Sequence, residues 1–407
     1  MLLEIGAPEK EKPPQSKIWW SNSIFFVSAH LAAAIGVLYR PYHLVPLPTL
    51  LLVFFTWQAA CFGITIGYHR LWSHRAFRAT LVVRLALAAL GSSAFQGSIK
   101  WWCLRHRLHH RFTDDPQHDP YAATRGLLFS HMGWIFYKPS YSRMELVDRE
   151  DLDSDPVVRL QHKYFVPLAV VFGFGLPILA GSFWNDALGA FIWAGLVSRL
   201  LIWHCTFLVN SLAHWDGLQP YSDENTSRGT LLLALLTAGE GNHNFHAFPH
   251  DFRSGPSLFD WDPSKWMILA LHQLGLVTSV RRARNPDIQE AKMFMAHGLH
   301  EGVAVMQEGD SRWDGEEWDT KSIQQYLQDH KAKCLLLING FVIDGTGYLK
   351  EHPGGSALLR KYSIRMPQGN GETVWRDATW AYDGGLNNHS RAAKRRMREL
   401  RVARFKP

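Results

Sequence analysis

Histidine is the residue type in this sequence whose number and spacing suit metal chemistry. The chain has 407 residues and 21 histidines, many of them clustered. The clustered histidines are His69 and His74, then His106, His109 and His110, then His243 and His246, with His214 standing apart. Imidazole is a good ligand for iron, zinc and copper. Eight imidazoles exceed what one ion takes, so the sequence predicts a site for two metal ions.

Helical spacing explains how one cluster could act together. Residues at i, i+3 and i+4 share a helix face, so His106, His109 and His110 can converge on one point. Asn210 and His214 share a face in the same way. A soluble zinc hydrolase would need about three protein ligands and a general base, and the chain has no HExxH sequence. One cluster alone would suit ordinary hydrogen-bonded histidines, but three favour a metal centre.

Four long apolar stretches must position these histidines. They run from Ile18 to Tyr39, Pro41 to Tyr68, Phe165 to Trp184 and Ala187 to Val209. Each is long enough to cross a bilayer as a helix, and only the fourth is interrupted by a charge, Arg199. Short connections pair them into two hairpins, which brings both termini to one side. Lysine and arginine concentrate in the other loops, so the positive-inside rule predicts cytosolic termini and cytosolic histidine clusters.

Composition divides the chain into a membrane part and a smaller second domain. Residues 1–17 are a polar cytosolic tail, 18–284 the membrane domain, 285–313 a linker and 314–407 a small α+β domain with a basic end. The four cysteines form no CxxC pair, which suits a reducing compartment. The net charge of +7 includes the basic C-terminal run, but no nucleic-acid-binding fold accompanies it. An anionic membrane surface or solvent is the better interpretation.

Long strings around the histidines resemble the membrane acyl-CoA Δ9 desaturases, the stearoyl-CoA desaturase family. The strings are Gly67 to His74, Trp101-Trp102, His106 to Thr113, Asp119 to Tyr121, Asp155 to Tyr164 and Asn210-Ser211. The resemblance runs from about Ser21 to Gly275. It implies a mostly α fold, in which a four-span transmembrane desaturase domain carries a cytosolic cap and a buried acyl tunnel. It also implies a multi-pass protein of the endoplasmic reticulum membrane.

The same resemblance implies the cofactors and the site residues. It implies two iron ions, a fatty acyl-CoA substrate and O2 as co-substrate, and no catalytic side chain beyond the ligands. The implied metal site consists of His69, His74, His106, His109, His110, Asn210, His214, His243 and His246, with Asn210 reaching its metal through water. Trp102 and Thr206 match positions that flank the acyl chain near the metals.

The third histidine cluster departs from the family pattern. The family sequence is His-x-x-His-His, whereas Ala247 follows His246 here and the segment to His250 is one residue short. Pro249 restrains the backbone that would bring His250 into the site. Losing a ligand weakens a metal site, so the sequence predicts impaired or absent activity. A histidine inserted after His246 is predicted to restore iron and turnover.

A second motif indicates a haem site in the C-terminal domain. His352 begins a His-Pro-Gly-Gly sequence, and His389 lies in a Gly- and Asn-rich segment. With the segment from Phe341 to Asp344, these residues resemble a cytochrome b5 domain. The resemblance implies haem b with His352 and His389 as axial ligands, in the fungal-type order of desaturase and then haem domain. NADH would enter through a separate cytochrome b5 reductase, because the chain has no GxGxxG sequence.

Three other functions compete with desaturation. A hydroxylase would use the same histidines but yield an alcohol instead of an alkene. An inactive scaffold or regulator would explain the shortened third cluster and need not hold iron. A free haem-based electron carrier would leave the clustered histidines without a role.

Overall fold

The chain forms two compact units in the computed structural model. The described residues are 17–297, 313–330, 332–349, 351–352, 354–365, 374–386 and 389–406. One unit comprises Pro14–Glu145 and Arg149–Ile288, and the other includes Leu146–Asp148 and Gln289–Pro407. The domain boundaries expected at residues 284 and 313 stay predictions.

The first unit is almost entirely helical. Its main helices are α1 Trp20–Tyr39, α2 Leu47–Ser73, α3 Leu81–Ser93, α4 Ile99–Arg111, α5 Leu127–His131, α6 Glu150–Ser154, α7 Pro156–Lys163, α8 Phe165–Ser182, α9 Ala187–His214, α10 Leu231–Leu236 and α11 Pro263–Gln273. Short 3-10 turns include Tyr42–Leu44, Gly133–Phe136 and His243–Ala247. The strands β1 Arg78–Ala79 and β2 Val277–Thr278 pair antiparallel and tie the segment after α2 to the segment after α11.

Helices α1, α2, α8 and α9 are long and apolar enough to cross a membrane. Large apolar side chains cover their outer faces, and Leu38 on α1 is 82% exposed. Phe183, just after α8, is equally exposed. Apolar surface of this extent suits lipid. The predicted fold class, four spans with a small C-terminal sheet domain, is confirmed.

Two details of the spans differ from the sequence expectation. Helix α2 does not end near Tyr68 but continues to Ser73, so that His69 lies on the helix itself. Arg199, the charge within α9, is 2% exposed and therefore faces protein instead of lipid. Its guanidinium donates hydrogen bonds to the Ser93 carbonyl and, at 3.1 Å, to the Ser198 hydroxyl.

The second unit contains a four-stranded sheet flanked by helices. Its helices are α12 Asn285–His297, which begins in the first unit, α13 Thr320–Asp329, α14 Ser356–Tyr362, α15 Thr379–Tyr382 and α16 Arg391–Glu399. The strands β3 Glu317–Trp318, β4 Leu335–Ile338, β5 Phe341–Asp344 and β6 Arg401–Phe405 lie in the order β3-β6-β5-β4. Asp319 caps α13 by accepting a hydrogen bond from the Ser322 amide. Apolar side chains pack on both faces of this sheet, giving the unit its own core.

Candidate metal centre

The eight clustered histidines come together in two neighbouring groups. The five-histidine group consists of His69, His74, His106, His110 and His246, and the three-histidine group consists of His109, His214 and His243. Within each group the nitrogens available for a metal all lie within 4.8 Å of one another. The structure thus brings together every histidine expected at the metal site. Asn210 lines the cavity beside the groups.

The end of α2 is wound so that two histidines five residues apart face the same point. From Gly63 to Ser73 the helix has π geometry, and the His74 amide donates to the His69 carbonyl at 3.0 Å. Five residues along an α-helix would turn the two side chains well apart, whereas an i to i+5 hydrogen bond aligns them. The π winding therefore joins His69 and His74 in one group.

Helix α4 divides its three histidines between the groups. His106 and His110, one helical turn apart, belong to the five-histidine group, with their Nε2 atoms 3.1 Å apart. His109 projects toward His214 and His243. The expectation that all three converge on one point was wrong, because neighbouring residues of an α-helix point about 100° apart. One helix thus supplies both groups.

Carboxylates hold the outer nitrogens of two clustered histidines. The Nδ1 atom of His69 lies 3.1 Å from a Glu240 oxygen, and the Nδ1 atom of His109 lies 2.9 Å from an Asp119 oxygen. A proton on Nδ1 leaves Nε2 free to bind a metal, and carboxylates behind histidine ligands are typical of metal sites. Arg70 also donates to Glu240, at 3.1 Å. Burial opposes ionisation, but His69 and Arg70 lower the pKa of Glu240 to about 2.

Replacing Glu240 by glutamine should weaken metal binding without unfolding the protein. The amide keeps the shape of the side chain but loses the charge that orients His69. We expect iron affinity to fall by about 10- to 100-fold, as for other partners of metal-binding histidines. Iron retained after dialysis against graded chelator concentrations measures this change. Glu224→Gln, a change at a carboxylate outside both groups, should leave iron retention unaltered, and equal retention in the two variants would contradict this role of Glu240.

Burial favours the neutral form of five clustered imidazoles. It lowers the pKa of His74, His106, His110, His243 and His246 well below the usual value, and the neighbouring imidazoles lower it further. Neutral imidazole is the form that binds metals. These five imidazoles are therefore in the form that binds metals at physiological pH.

The three-histidine group contains nitrogen atoms that suit a bound ion. His214 Nε2 and His243 Nδ1 are buried and accept or donate no hydrogen bond. The Nδ1 atom of His214 is held at 2.8 Å by the Thr226 hydroxyl, which in turn donates to Asp114 at 2.8 Å. A buried polar atom without a partner is costly, and a metal ion would satisfy both nitrogens. The histidines of this chain thus fit metal ions at the two groups.

The two groups differ in size, and the shortened third cluster supplies one histidine to each. His246 lies in the five-histidine group, with its Nε2 atom 3.1 Å from His69 Nε2. His250 belongs to neither group, and its Nδ1 atom donates to the His74 carbonyl at 2.8 Å. Three protein ligands and an open position are typical of catalytic zinc sites. A metal ion in the smaller group would similarly keep positions open for other ligands.

An apolar cavity of about 350 Å³ runs up to the histidines. Its lining includes His69, His106 and the two residues expected to flank an acyl chain, Trp102 and Thr206. The Trp102 ring stacks on His106 with 4.9 Å between the ring centroids. Gln96, which the sequence analysis did not single out, donates to the Thr206 hydroxyl at 2.8 Å. Only the fold brings this glutamine to α9, so no local sequence pattern would have identified it.

The second unit brings its two predicted haem ligands face to face. The ring centroids of His352 and His389 are 6.5 Å apart, with 33° between the ring planes. His389 Nδ1 donates to the Tyr382 carbonyl at 2.8 Å, so the proton of a neutral ring lies on Nδ1 and Nε2 carries a lone pair. The gap suits a metal atom bound by one nitrogen from each side. These residues therefore fit a haem iron.

Comparison with known proteins matches both units. The family described as fatty acid desaturase covers residues 41–250, and the cytochrome b5-like heme/steroid binding domain covers residues 320–363. A probable acyl-CoA desaturase of Schizosaccharomyces pombe is 36% identical over 97% of this chain and 80% of its own length. Acyl-CoA desaturase 1 of Saccharomyces cerevisiae is 37% identical over 84% of this chain and 65% of its own length. Stearoyl-CoA desaturase 5 of Homo sapiens is 36% identical over 70% of this chain and 88% of its own length.

Proposed function

Because the chain belongs to the acyl-CoA desaturases of the fatty acid desaturase family and ends in a cytochrome b5-like domain, we propose that it desaturates fatty acyl-CoA at the Δ9 position. The observation that supports this most is an apolar cavity lined by histidines of the five-histidine group, which the three-histidine group adjoins. In this proposal the eight histidines and Asn210 hold two irons, and the cavity holds the acyl chain.

The reaction requires an oxidant that amino-acid side chains do not provide. An unactivated methylene C–H bond lies beyond the reach of acid–base side chains, and iron with O2 supplies that oxidising power. The protein's own part is to bind the acyl chain, exclude water and present one carbon pair to the metals. Trp102 stacks against a histidine of the five-histidine group, and the hydrogen-bonded pair Gln96 and Thr206 also lines the cavity. The depth of the cavity beyond these residues then determines the double-bond position.

Electrons would come from the fused haem domain. A haem held by two imidazoles would transfer electrons without readily binding O2. His352 and His389 would provide these ligands. A tether raises the effective concentration of the donor to about the millimolar range. NADH would supply the electrons through a cytochrome b5 reductase.

The His389→Ala variant should separate electron supply from the metal centre. We expect the loss of bound haem, seen in the absorption spectrum, with unchanged iron in the first unit. Desaturation should fall at least about tenfold and return when free cytochrome b5 replaces the missing donor. His330→Ala, in the same unit but outside the haem site, should keep both haem and activity. Full desaturation without haem would contradict this electron route.

The proposed location is the endoplasmic reticulum membrane with both termini in the cytosol. An even number of spans brings the termini to one side, and the loops rich in lysine and arginine lie on that side. Acyl-CoA substrate and reductase would then reach the chain from the cytosol.

Expression in a desaturase-deficient host tests the proposed function. Fatty-acid profiling should show monounsaturated products with the double bond between carbons 9 and 10. Hydroxylated fatty acids would instead indicate a hydroxylase. The absence of both products, together with a purified chain that holds no iron, would indicate a scaffold and overturn the proposal.

A further inference from the structure

Three histidines outside both metal groups form a continuous chain of close contacts. His30 lies on α1, His131 ends α5 and His204 lies on α9. His204 Nε2 is 3.1 Å from His30 Nε2, and His204 Nδ1 is 3.0 Å from His131 Nε2. We call these three residues the imidazole chain.

Each end of the imidazole chain leads to a backbone carbonyl. At one end His30 Nδ1 lies 2.7 Å from the Phe26 carbonyl oxygen. At the other, His131 Nδ1 lies 3.0 Å from the Ser211 hydroxyl, which is 2.9 Å from the Phe207 carbonyl oxygen. A carbonyl only accepts hydrogen bonds. Both ends of the chain therefore require a donated proton.

This arrangement resembles a proton-conducting chain more than a metal site. His204 presents one nitrogen to His30 and its other nitrogen to His131, so that the three histidines do not aim at a common point. A neutral imidazole accepts at one nitrogen and donates at the other. A proton received by one nitrogen can thus be passed on from the other, in either direction.

A count of protons shows that the chain has room for one more. Five contacts run from the Phe26 carbonyl to the Phe207 carbonyl, and each needs one hydrogen. Three neutral imidazoles and one hydroxyl supply only four. When all groups are neutral, one contact joins two acceptors about 3 Å apart, and this defect can move as the tautomers change. One added proton completes all five hydrogen bonds.

The surroundings limit how long the added proton stays. His30 and His204 lie within membrane-spanning helices, where charge is costly. His204 contacts the other two imidazoles, and a positive charge on either of them would oppose a second one on His204. Burial also lowers the pKa of His131, while the Phe207 carbonyl partly offsets that effect. A site that accepts a proton and holds it weakly suits transfer better than storage.

We propose that the imidazole chain and Ser211 form a proton relay for the reaction at the metal centre. This inference rests on the proposed function. Desaturation converts O2, two electrons, two protons and a –CH2–CH2– unit into a –CH=CH– unit and two water molecules, so two protons per turnover must reach a buried site. A proton that travels from His30 to Ser211 passes through His204 and His131. Ser211 directly follows Asn210, which lines the cavity.

The His204→Gln variant distinguishes a relay from a structural link. Glutamine can still accept and donate a hydrogen bond, so it preserves contacts between α1, α5 and α9, but it cannot pass a proton through its side chain. We expect unchanged iron content and KM for stearoyl-CoA, with kcat reduced about 100-fold, the lower end of what a positioned proton donor contributes. The control His43→Gln changes an exposed histidine outside the chain and should leave kcat unaltered.

A second measurement does not depend on turnover. Nitrogen NMR of the full-length protein labelled with ¹⁵N-histidine follows the titration of His131, whose signals are assigned from the His131→Gln spectrum. We expect His204→Gln to shift the titration midpoint of His131, whereas His43→Gln should not. An unshifted midpoint, or a His204→Gln enzyme with wild-type kcat, would overturn the relay. If the wild type makes no alkene, the proposed function fails, and the NMR titration still decides whether the three imidazoles share a proton.

Discussion

The His109→Ala variant is expected to lose one of two bound irons and nearly all desaturation activity. His109 is one of the three imidazoles that form the three-histidine group among the described residues. Its removal leaves two imidazoles in the group, and Asp119 loses the imidazole that it holds by a hydrogen bond. Loss of the hydrogen-bond partner of a metal ligand already lowers metal affinity or activity by about 10- to 100-fold. Loss of the ligand itself should therefore lower product formation by more than about 100-fold. Elemental analysis of the purified chain and fatty-acid profiling measure the two effects.

His118→Ala provides the matched control. His118 follows the same helix, but its Nδ1 atom faces Asp115 at 3.1 Å and it belongs to neither histidine group. This variant should keep two irons and wild-type product. Equal iron content in the His109 and His118 variants would show that His109 is not a ligand.

A histidine inserted after His246 is expected to raise both iron occupancy and turnover. The third cluster lacks one imidazole compared with the family pattern, and His246 lies in the five-histidine group. The three-histidine group offers fewer ligand atoms than the five-histidine group. An additional imidazole in this segment should bring iron closer to two per chain and raise turnover by about 10- to 100-fold. Because all eight existing histidines still converge, the structure favours reduced activity over none.

Insertion of alanine at the same position controls for the longer segment. It lengthens the turn equally but adds no ligand, so it should not raise iron occupancy or product. If the histidine insertion changed neither quantity relative to the alanine insertion, the shortened cluster would not limit this enzyme.

The sequence was sufficient for the features that depend on composition and contiguous strings. Four apolar stretches predicted the four spans, because length and lack of charge alone decide whether a helix suits a bilayer. The haem domain followed from His352 and its Pro-Gly-Gly sequence. The resemblance to desaturases also singled out all eight histidines that converge in the structure.

Features that depend on winding or on distant contacts could not be predicted. The division of His109 from its neighbours follows from the direction of α4 relative to the other elements. The alignment of His69 with His74 needs a π-helical segment, for which spacing gives no signal. Glu240 and Gln96 act through residues more than a hundred positions away. The imidazole chain joins histidines from three separate elements, each of which is unremarkable within its own segment.

The most direct test of the central claim is to locate iron in crystals of the iron-loaded protein by anomalous diffraction at the iron absorption edge. We predict two peaks in the membrane unit, one among the nitrogens of the five-histidine group and one among those of the three-histidine group. A single peak, or peaks away from these imidazoles, would contradict the assignment of the eight histidines to a two-iron centre.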